Sequence, residues 1–213
     1  MAEPSFPPYN VGDLGGQARR RAPAASRNVE PIGDVLADWL PPGGTVLEVA
    51  SGTGEHVLAF ARRFPGLTFI PSDPDPQAIA SIEAWRTEGP DNFRPPLALD
   101  VRSGQWPIAR ADAILSINMV HISPWEASLG LLEGAARLLE ADAPLILYGP
   151  WRVTGEALAP SNEAFDLDLK RRDARWGLRE TGPFETAAAE RGLALQDMRR
   201  MPANNLMLLL RRR

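Results

Sequence analysis

Hydrophobic positions change rhythm along the chain. From Asn28 to Leu40 the residues Ile32, Val35, Leu36, Trp39 and Leu40 recur at helical spacing, which predicts an amphipathic helix. Pro41-Pro42-Gly43-Gly44 ends it. Short apolar runs and helical patterns then alternate. Strands are predicted at 45–50 (TVLEVA), 67–71, 96–99, 112–117 (DAILSI) and 143–148, with helices at 55–64, 76–87 and 125–139 between them. Strand and helix in strict alternation, joined by short connections, predict a parallel sheet covered by helices on both faces. Residues 149–191 are mostly helical in pattern and are expected to form a helical cap or insertion. Two further strands, 193–199 and 205–210, have only Arg200 to Asn204 between them. That is too short for a helical crossover, so they are expected to pair antiparallel. The expected fold is α/β: a Rossmann-like, doubly wound, seven-stranded, mostly parallel sheet with an antiparallel last strand.

With 213 residues the chain is expected to be one domain, 27–213, behind an irregular segment at 1–26. That segment holds Pro4, Pro7, Pro8, Gly12, Gly15, Gly16 and Pro23 and cannot sustain a regular element. It is either disordered or wraps the domain and closes a site. Arg19-Arg20-Arg21 and Arg211-Arg212-Arg213 read as solvated clusters near the two ends. The net charge of −4 disfavours a general nucleic-acid surface. The absence of cysteine and the presence of only two histidines, His56 and His121, exclude thiolate and histidine-rich metal sites. No apolar run approaches the roughly 18 residues of a membrane span. A cytoplasmic protein with no membrane partner is expected, and its oligomeric state is left open.

Chemistry concentrates at Val46-Leu-Glu48-Val-Ala50-Ser51-Gly52-Thr-Gly54-Glu55. A strand runs into a loop of small residues, and the helix beyond it offers unpaired N–H groups at its start. At the carboxyl end of the first strand of an open α/β sheet, this is where ligands bind. Asp73 follows Gly52 by 21 residues, just past the second strand. There an acid can accept hydrogen bonds from ribose hydroxyls, or it is a turn aspartate within Ser-Asp-Pro-Asp. A dinucleotide fingerprint would place glycine at position 57, which is Val57, and no Gly-Lys-Ser/Thr occurs. The loop therefore fits an adenosine ligand without phosphates better than a nicotinamide cofactor or ATP.

Leu47 to Gly54 resembles the first motif of class I S-adenosylmethionine-dependent methyltransferases. Asp73 resembles that class's ribose-binding acid. Leu99-Asp100-Val101 resembles its third motif, whose acid contacts the adenine amino group, and Asp112 to Met119 its fourth. The class usually has glycine where Ala50 stands. A narrower set of residues is similar to the domain-of-unknown-function 938 family, whose animal relatives are called methyltransferase-like 26. It comprises Arg27-Asn28, Ala50 to Gly54, Asn118-Met119, His121-Ile122, Pro124-Trp125, Tyr148-Gly149-Pro150, Ser161-Asn162, Phe165-Asp166, Arg172-Asp173, Trp176-Gly177 and Met201 to Asn205. The resemblance implies S-adenosyl-L-methionine as cofactor. It implies cofactor contacts at Arg27, Asn28, Glu48, Ala50, Ser51, Gly52, Gly54, Asp73, Asp100, Val101, Asn118 and Met119. Arg27-Asn28 would meet the cofactor carboxylate or close the pocket; alternatively Asn28 caps the first helix.

On the substrate side, His121 either takes a proton or orients its loop. Asn162, Phe165, Asp166, Leu169, Asp173 and Trp176 share a helical stripe. It forms either a lid over the methyl, with Tyr148, Trp151 and Arg152, or a salt-bridged surface helix. The candidate catalytic residues are accordingly His121, Asn162 and Asp166. The expected function is a methyltransferase acting on a small-molecule acceptor. The alternative is a non-catalytic S-adenosylmethionine or S-adenosylhomocysteine sensor or partner protein.

Overall fold

A computed structural model describes residues 19–23 and 25–213. Residues 1–18 and 24 of the expected irregular segment lie outside the described residues. Helix α1 (Ala25–Trp39) precedes β1 (Gly44–Val49), α2 (Glu55–Arg63), β2 (Leu67–Asp73), α3 (Pro76–Arg86) and β3 (Leu97–Ala98). Then come β4 (Ala113–Ile117), α4 (Trp125–Leu138), β5 (Pro144–Gly149), α5 (Pro160–Arg172), α6 (Thr181–Ala189), β6 (Leu193–Met201) and β7 (Asn205–Arg212). The seven strands form one sheet in the order β3-β2-β1-β4-β5-β7-β6. Neighbours from β3 to β5 run parallel, and β7 runs antiparallel to both β5 and β6.

Side-chain alternation along the strands divides the core into two layers, because successive residues face opposite sides of a sheet. Leu47, Ile114, Leu145, Leu147, Leu206, Leu208 and Leu210 pack with Leu131, Leu132 and Phe184 of α4 and α6. Val46, Ala113, Leu115, Ile146, Tyr148, Met207 and Leu209 pack with Leu36, Phe60 and Ile82 of α1, α2 and α3. Both faces are covered, which is why the central strands read as nearly unbroken apolar runs. Within 149–191, α6 lies against the sheet through Phe184, Ala187 and Ala188. Only Leu169 of α5 is a buried apolar residue, so α5 stands away from the core.

Two local features depart from expectation. Helix α1 begins at Ala25, three residues before Asn28. Asn28 is therefore inside the helix rather than at its cap, and its side chain is free to reach another element. The basic run Arg19-Arg20-Arg21 is not a solvated tail. Arg19 and Arg21 lie over the Trp85 ring at 4.5 and 4.8 Å, and the Trp85 indole donates to the Arg20 carbonyl at 3.0 Å. The Arg20 N–H donates to Ser81 Oγ at 2.9 Å, and the Ala22 N–H to Glu55 Oε2 at 2.6 Å. Residues 19–23 thus form a strap across α3 and the start of α2.

Helix α4 approaches the segment after β3 closely enough to require a bare backbone. A Cβ at Gly130 would fall 2.3 Å from the Val101 carbonyl oxygen. Alanine gains about 1 kcal/mol of helix propensity over glycine, but forcing an extra methyl into a filled contact costs roughly 1–3 kcal/mol. Gly130→Ala is expected to lower the urea midpoint of unfolding; a raised midpoint would refute the close approach.

Candidate functional site

The carboxyl edge of the sheet carries a cavity of about 360 Å³ beside β1, β2 and β4. Its floor is the β1–α2 loop, and the loop conformation explains the residues found there. Ala50, Gly52 and Gly54 all have positive φ, at 58°, 56° and 91°. Left-handed backbone is costly for a residue with a Cβ, so Ala50 holds its place under strain where glycine would not. The two glycines serve different ends. A Cβ on Gly52 would meet nothing within 4 Å, whereas one on Gly54 would come within 3.0 Å of the Ile82 backbone in α3. Gly54 permits helix packing; Gly52 leaves bare backbone facing the cavity.

Hydrogen bonds fix this loop to the tip of β2. The Ser51 N–H donates to the Ser72 carbonyl at 2.9 Å, and Ser51 Oγ accepts from the Ser72 N–H at 3.2 Å. Asp73 closes the arrangement. Its Oδ2 accepts from the Gly52 N–H at 3.0 Å and its Oδ1 from the Asp75 N–H at 2.9 Å. Each oxygen then retains acceptor capacity. Asp73 is 7% exposed and lines the cavity; burial pushes its carboxyl above the usual range against those two N–H donors.

A smaller recess of about 40 Å³ adjoins the same loop, lined by Asn28, Glu48, Ala50, His56 and Asn118, with Ala22 of the strap. Glu48 is 2% exposed, and its Oε2 has no hydrogen-bond partner among the described residues. Burial drives its carboxyl up to about 8. His56 Nε2 lies 2.7 Å from Asn28 Oδ1. The carbonyl oxygen can only accept, so the ring donates from Nε2. Burial lowers this histidine to about 4, which keeps it neutral at physiological pH. Asn118, at φ 63°, donates its N–H to the Tyr148 carbonyl at 2.8 Å.

The other wall of the large cavity comes from Leu99, Asp100, Val101 and Met119. Asp100 receives Arg102 Nη2 at 2.6 Å and Nε at 3.0 Å. These bonds hold its carboxyl below the ordinary range. The roof is Asp173, Arg175 and Trp176, on the loop after α5. The expected lid stripe therefore divides: its last two members cover the cavity, and its helical members do not.

Of the residues singled out in the sequence, the structure gathers Asn28, Glu48, Ala50, Ser51, Gly52 and Asn118 around the recess. Around the cavity it gathers Asp73, Asp100, Val101 and Met119, along with Ala50 and Gly52. Arg27 is exposed on α1 and lines neither. His121, Asn162 and Asp166 also line neither. His121 is 1% exposed with its ring edge-on to Trp151 at 4.9 Å. Burial, reinforced by Arg179, lowers it to about 3. Asp166 accepts from Arg152 at 2.8 Å, Lys170 at 2.7 Å and the Leu178 N–H at 2.8 Å. Burial alone would raise its carboxyl, but Lys170, the Leu178 N–H and Arg152 outweigh it and hold it below the usual range. Asn162 donates to the Asn204 carbonyl at 2.9 Å. Sequence reasoning left open that the 1–26 segment wraps the domain and closes a site but singled out neither Arg20, which lines the cavity, nor Ala22, which lines the recess.

Among the described residues no helix is long and apolar enough to cross a membrane. Solved structures share the architecture. An O-methyltransferase family protein from Burkholderia thailandensis superposes with a TM-score of 0.73 at 19% identity, over 89% of this chain and 57% of its own. CalO1, a methyltransferase in calicheamicin biosynthesis solved with S-adenosylhomocysteine, gives 0.71 at 20%, over 89% and 54%. Human N-acetylserotonin methyltransferase in complex with S-adenosylmethionine gives 0.73 at 12%, over 89% and 52%. The chain spans just over half the length of each, and at these identities the likeness establishes the class I methyltransferase fold. Residues 19–212 match the sequence family described as "Protein of unknown function (DUF938)", and the chain belongs to that family.

Proposed function

We propose that the protein is an S-adenosylmethionine-dependent methyltransferase acting on a small-molecule acceptor. The observation that carries this reading is a pair of buried carboxylates on either side of a bare backbone loop. Asp73 is on the cavity side and Glu48, with an unpartnered oxygen, in the recess. A buried carboxylate oxygen without a donor is costly unless a ligand supplies one. The cofactor carries donors suited to both positions: ribose hydroxyls for Asp73 and a methionyl ammonium for Glu48. Gly52 lets the backbone lie against such a ligand, and Leu99, Val101 and Met119 offer apolar wall for its base. Asp100 would meet that base only through acceptor capacity left over from Arg102. The residues present fit the group.

When bound, S-adenosylmethionine supplies an activated methyl that passes to a nucleophile's lone pair, the carbon–sulfur bonding electrons returning to sulfur. The chain's own work is positioning and water exclusion. Residues 19–23 close one side, and the Asp173 to Trp176 loop covers another. No base is required when the nucleophile is already deprotonated at the working pH. A second reading, a non-catalytic cofactor-binding sensor, is favoured by one observation: His121, Asn162 and Asp166 line neither the cavity nor the recess. Incubation with methyl-labelled cofactor and cell extract separates the two. Label in a small-molecule fraction supports the enzyme, and tight binding without transfer supports the sensor.

Asp73→Asn keeps one acceptor oxygen but loses the charge. Hydrogen bonds to a charged group contribute roughly 1.5–3 kcal/mol, so affinity for S-adenosylhomocysteine is expected to fall at least tenfold in calorimetry. Unchanged affinity would remove the ribose assignment.

Glu48 gives a proton-linked signature. Its folded-state pKa of about 8 lies above the ordinary 4.5, so in the unliganded chain it is mostly protonated near neutral pH. Holding an ammonium requires the carboxylate, so binding at pH 6.5–7 is expected to release close to one proton. The measurement is the binding enthalpy in buffers of different ionisation enthalpy; Glu48→Gln should abolish the buffer dependence. The same raised pKa fixes the sign for stability. Glu48's contribution is fully present below pH 4.5 and is lost as pH rises through 8. Glu48→Gln should therefore melt above the parent protein at pH 8.5, and the gap should vanish near pH 4.5. A pH-independent gap would contradict the buried-acid assignment.

A further inference from the structure

Ala50, Gly52 and Thr53 line both the cavity and the recess. Thr53 alone of these has a polar side chain, and its hydroxyl and carbonyl are both engaged. Its Oγ1 donates to Glu55 Oε2 at 3.1 Å, and its carbonyl accepts from Ser81 Oγ at 2.8 Å. The same two partners tie down the strap at 19–23. Glu55 Oε2 takes the Ala22 N–H at 2.6 Å, and Ser81 Oγ takes the Arg20 N–H at 2.9 Å. Strap and ligand loop therefore meet at two shared side chains. A serine hydroxyl has a single hydrogen. With it committed to the Thr53 carbonyl, Ser81 turns a lone pair to Arg20, so the position of Thr53 sets the acceptor that the strap needs.

The strap is also a wall of the site, with Arg20 on the cavity and Ala22 on the recess. Yet none of residues 19–23 is buried. Arg19 donates to Glu88, itself exposed, at 2.7 Å and to the Ala84 carbonyl at 3.0 Å. Arg20 meets Gln77 and, at 3.8 Å, Asp75. Arg19 and Arg21 lie over the Trp85 ring. Ion pairs open to water hold weakly, and a segment with little buried apolar surface opens at small cost in free energy. The wall is thus fastened by contacts that can be released without disturbing the core, while two of its backbone N–H groups are bonded to the side chains that also hold Thr53.

We propose that residues 19–23 are a closure coupled to the ligand. The strap undocks from α3 to open the cavity and docks again once a ligand lies on the 50–54 loop, with Ser81 and Glu55 carrying the coupling through Thr53. That the ligand is S-adenosylmethionine or its product rests on the methyltransferase reading above. A ligand pressed on the bare backbone at Gly52 restrains Thr53 beside it, and a restrained Thr53 holds both strap acceptors in place. The effect runs equally in reverse, because a docked strap fixes Thr53 before the ligand arrives and so lowers the ordering cost of binding.

The test is amide hydrogen exchange on the whole chain, with S-adenosylhomocysteine as the probe. Saturating probe is expected to slow exchange at Arg20 and Ala22 by about fivefold or more, the low end of coupling between sites. The Asp142 amide, bonded to the Arg212 carbonyl away from the site, should be unaffected. Arg19→Ala combined with Arg21→Ala strips the guanidinium groups from Trp85, and neither residue lines the cavity or the recess. In that variant, exchange at Arg20 and Ala22 should quicken in the unliganded chain while Asp142 keeps its rate. S-adenosylhomocysteine should then leave the variant about threefold faster or more in a chase experiment. A probe that binds without slowing either strap amide makes the strap a fixed brace and overturns the proposal. So does a variant whose strap exchanges faster while dissociation is unchanged. If S-adenosylhomocysteine does not bind, the methyl-donor reading falls and the coupling is judged in the unliganded chain. There the double variant must still move the Gly52 and Gly54 amide resonances; if they stay in place, the closure falls as well.

Discussion

The rest of the site depends on one carboxylate joining two strand ends. Asp73, at the tip of β2, takes the Gly52 N–H on one oxygen and the Asp75 N–H on the other. The first bond holds the β1–α2 loop in its left-handed run; the second starts the turn into α3, whose cap Asp75 then receives the Gln77 N–H. A loop with three positive-φ residues has no hydrogen-bond ladder of its own, and without such a brace it would sample many conformations at a large entropic cost. The brace also explains why a carboxylate is tolerated at 7% exposure. Its two N–H donors offset part of the burial penalty while leaving lone pairs toward the cavity.

Much of this was legible in the chain. Parallel strands buried on both faces must be apolar throughout, and helices between them must be amphipathic. The alternation from Thr45 to Tyr148 therefore specified the sheet before any coordinate did. The connection expected between the last two strands, five residues in the sequence reading and three between β6 and β7, forced the antiparallel end. The loop was legible because bare backbone at a strand-to-helix turn demands small residues, and Ala50 to Gly54 supplies them. Less legible were features created by contacts remote in sequence. The Arg19-Arg20-Arg21 run looked like solvated charge because nothing local marks Trp85, more than sixty residues on, as its partner. The start of α1 was misplaced because Asn28 is a good cap residue in isolation. Here its amide is engaged by His56 from α2 instead.

The stripe on α5 shows where periodicity stops informing. Spacing placed Asn162, Asp166, Asp173 and Trp176 on one face, and a helix extended to 176 would have carried them together. The helix ends at Arg172, and the chain turns through Gly177 at φ 146°. Asp166 stays behind as the anchor, taking the Leu178 N–H, while the Gly177 N–H donates to the His121 carbonyl at 2.9 Å. Two residues that look catalytic by type thus hold the loop that bears Trp176 over the cavity. Mixed polar and aromatic composition was a true sign of something other than core, but it marked the hinge of a roof.

Electrostatics joins these parts. Four ionisable groups are withdrawn from water along this edge of the sheet: Glu48, Asp73, His56 and His121. Burial moves each toward its neutral form, the acids upward and the histidines downward. A core assembled for stability alone would replace such groups with apolar ones, since each unmet polar atom lowers the folded state's advantage. Their clustering at the strand ends, and not at the opposite edge, is the pattern expected when the folded state is completed by a ligand that supplies the missing partners. Asp73 keeps spare acceptor capacity beside the cavity, and Glu48 holds an oxygen that has no donor among the described residues. His121 and Trp151 each hold a nitrogen without a hydrogen-bond partner among the described residues.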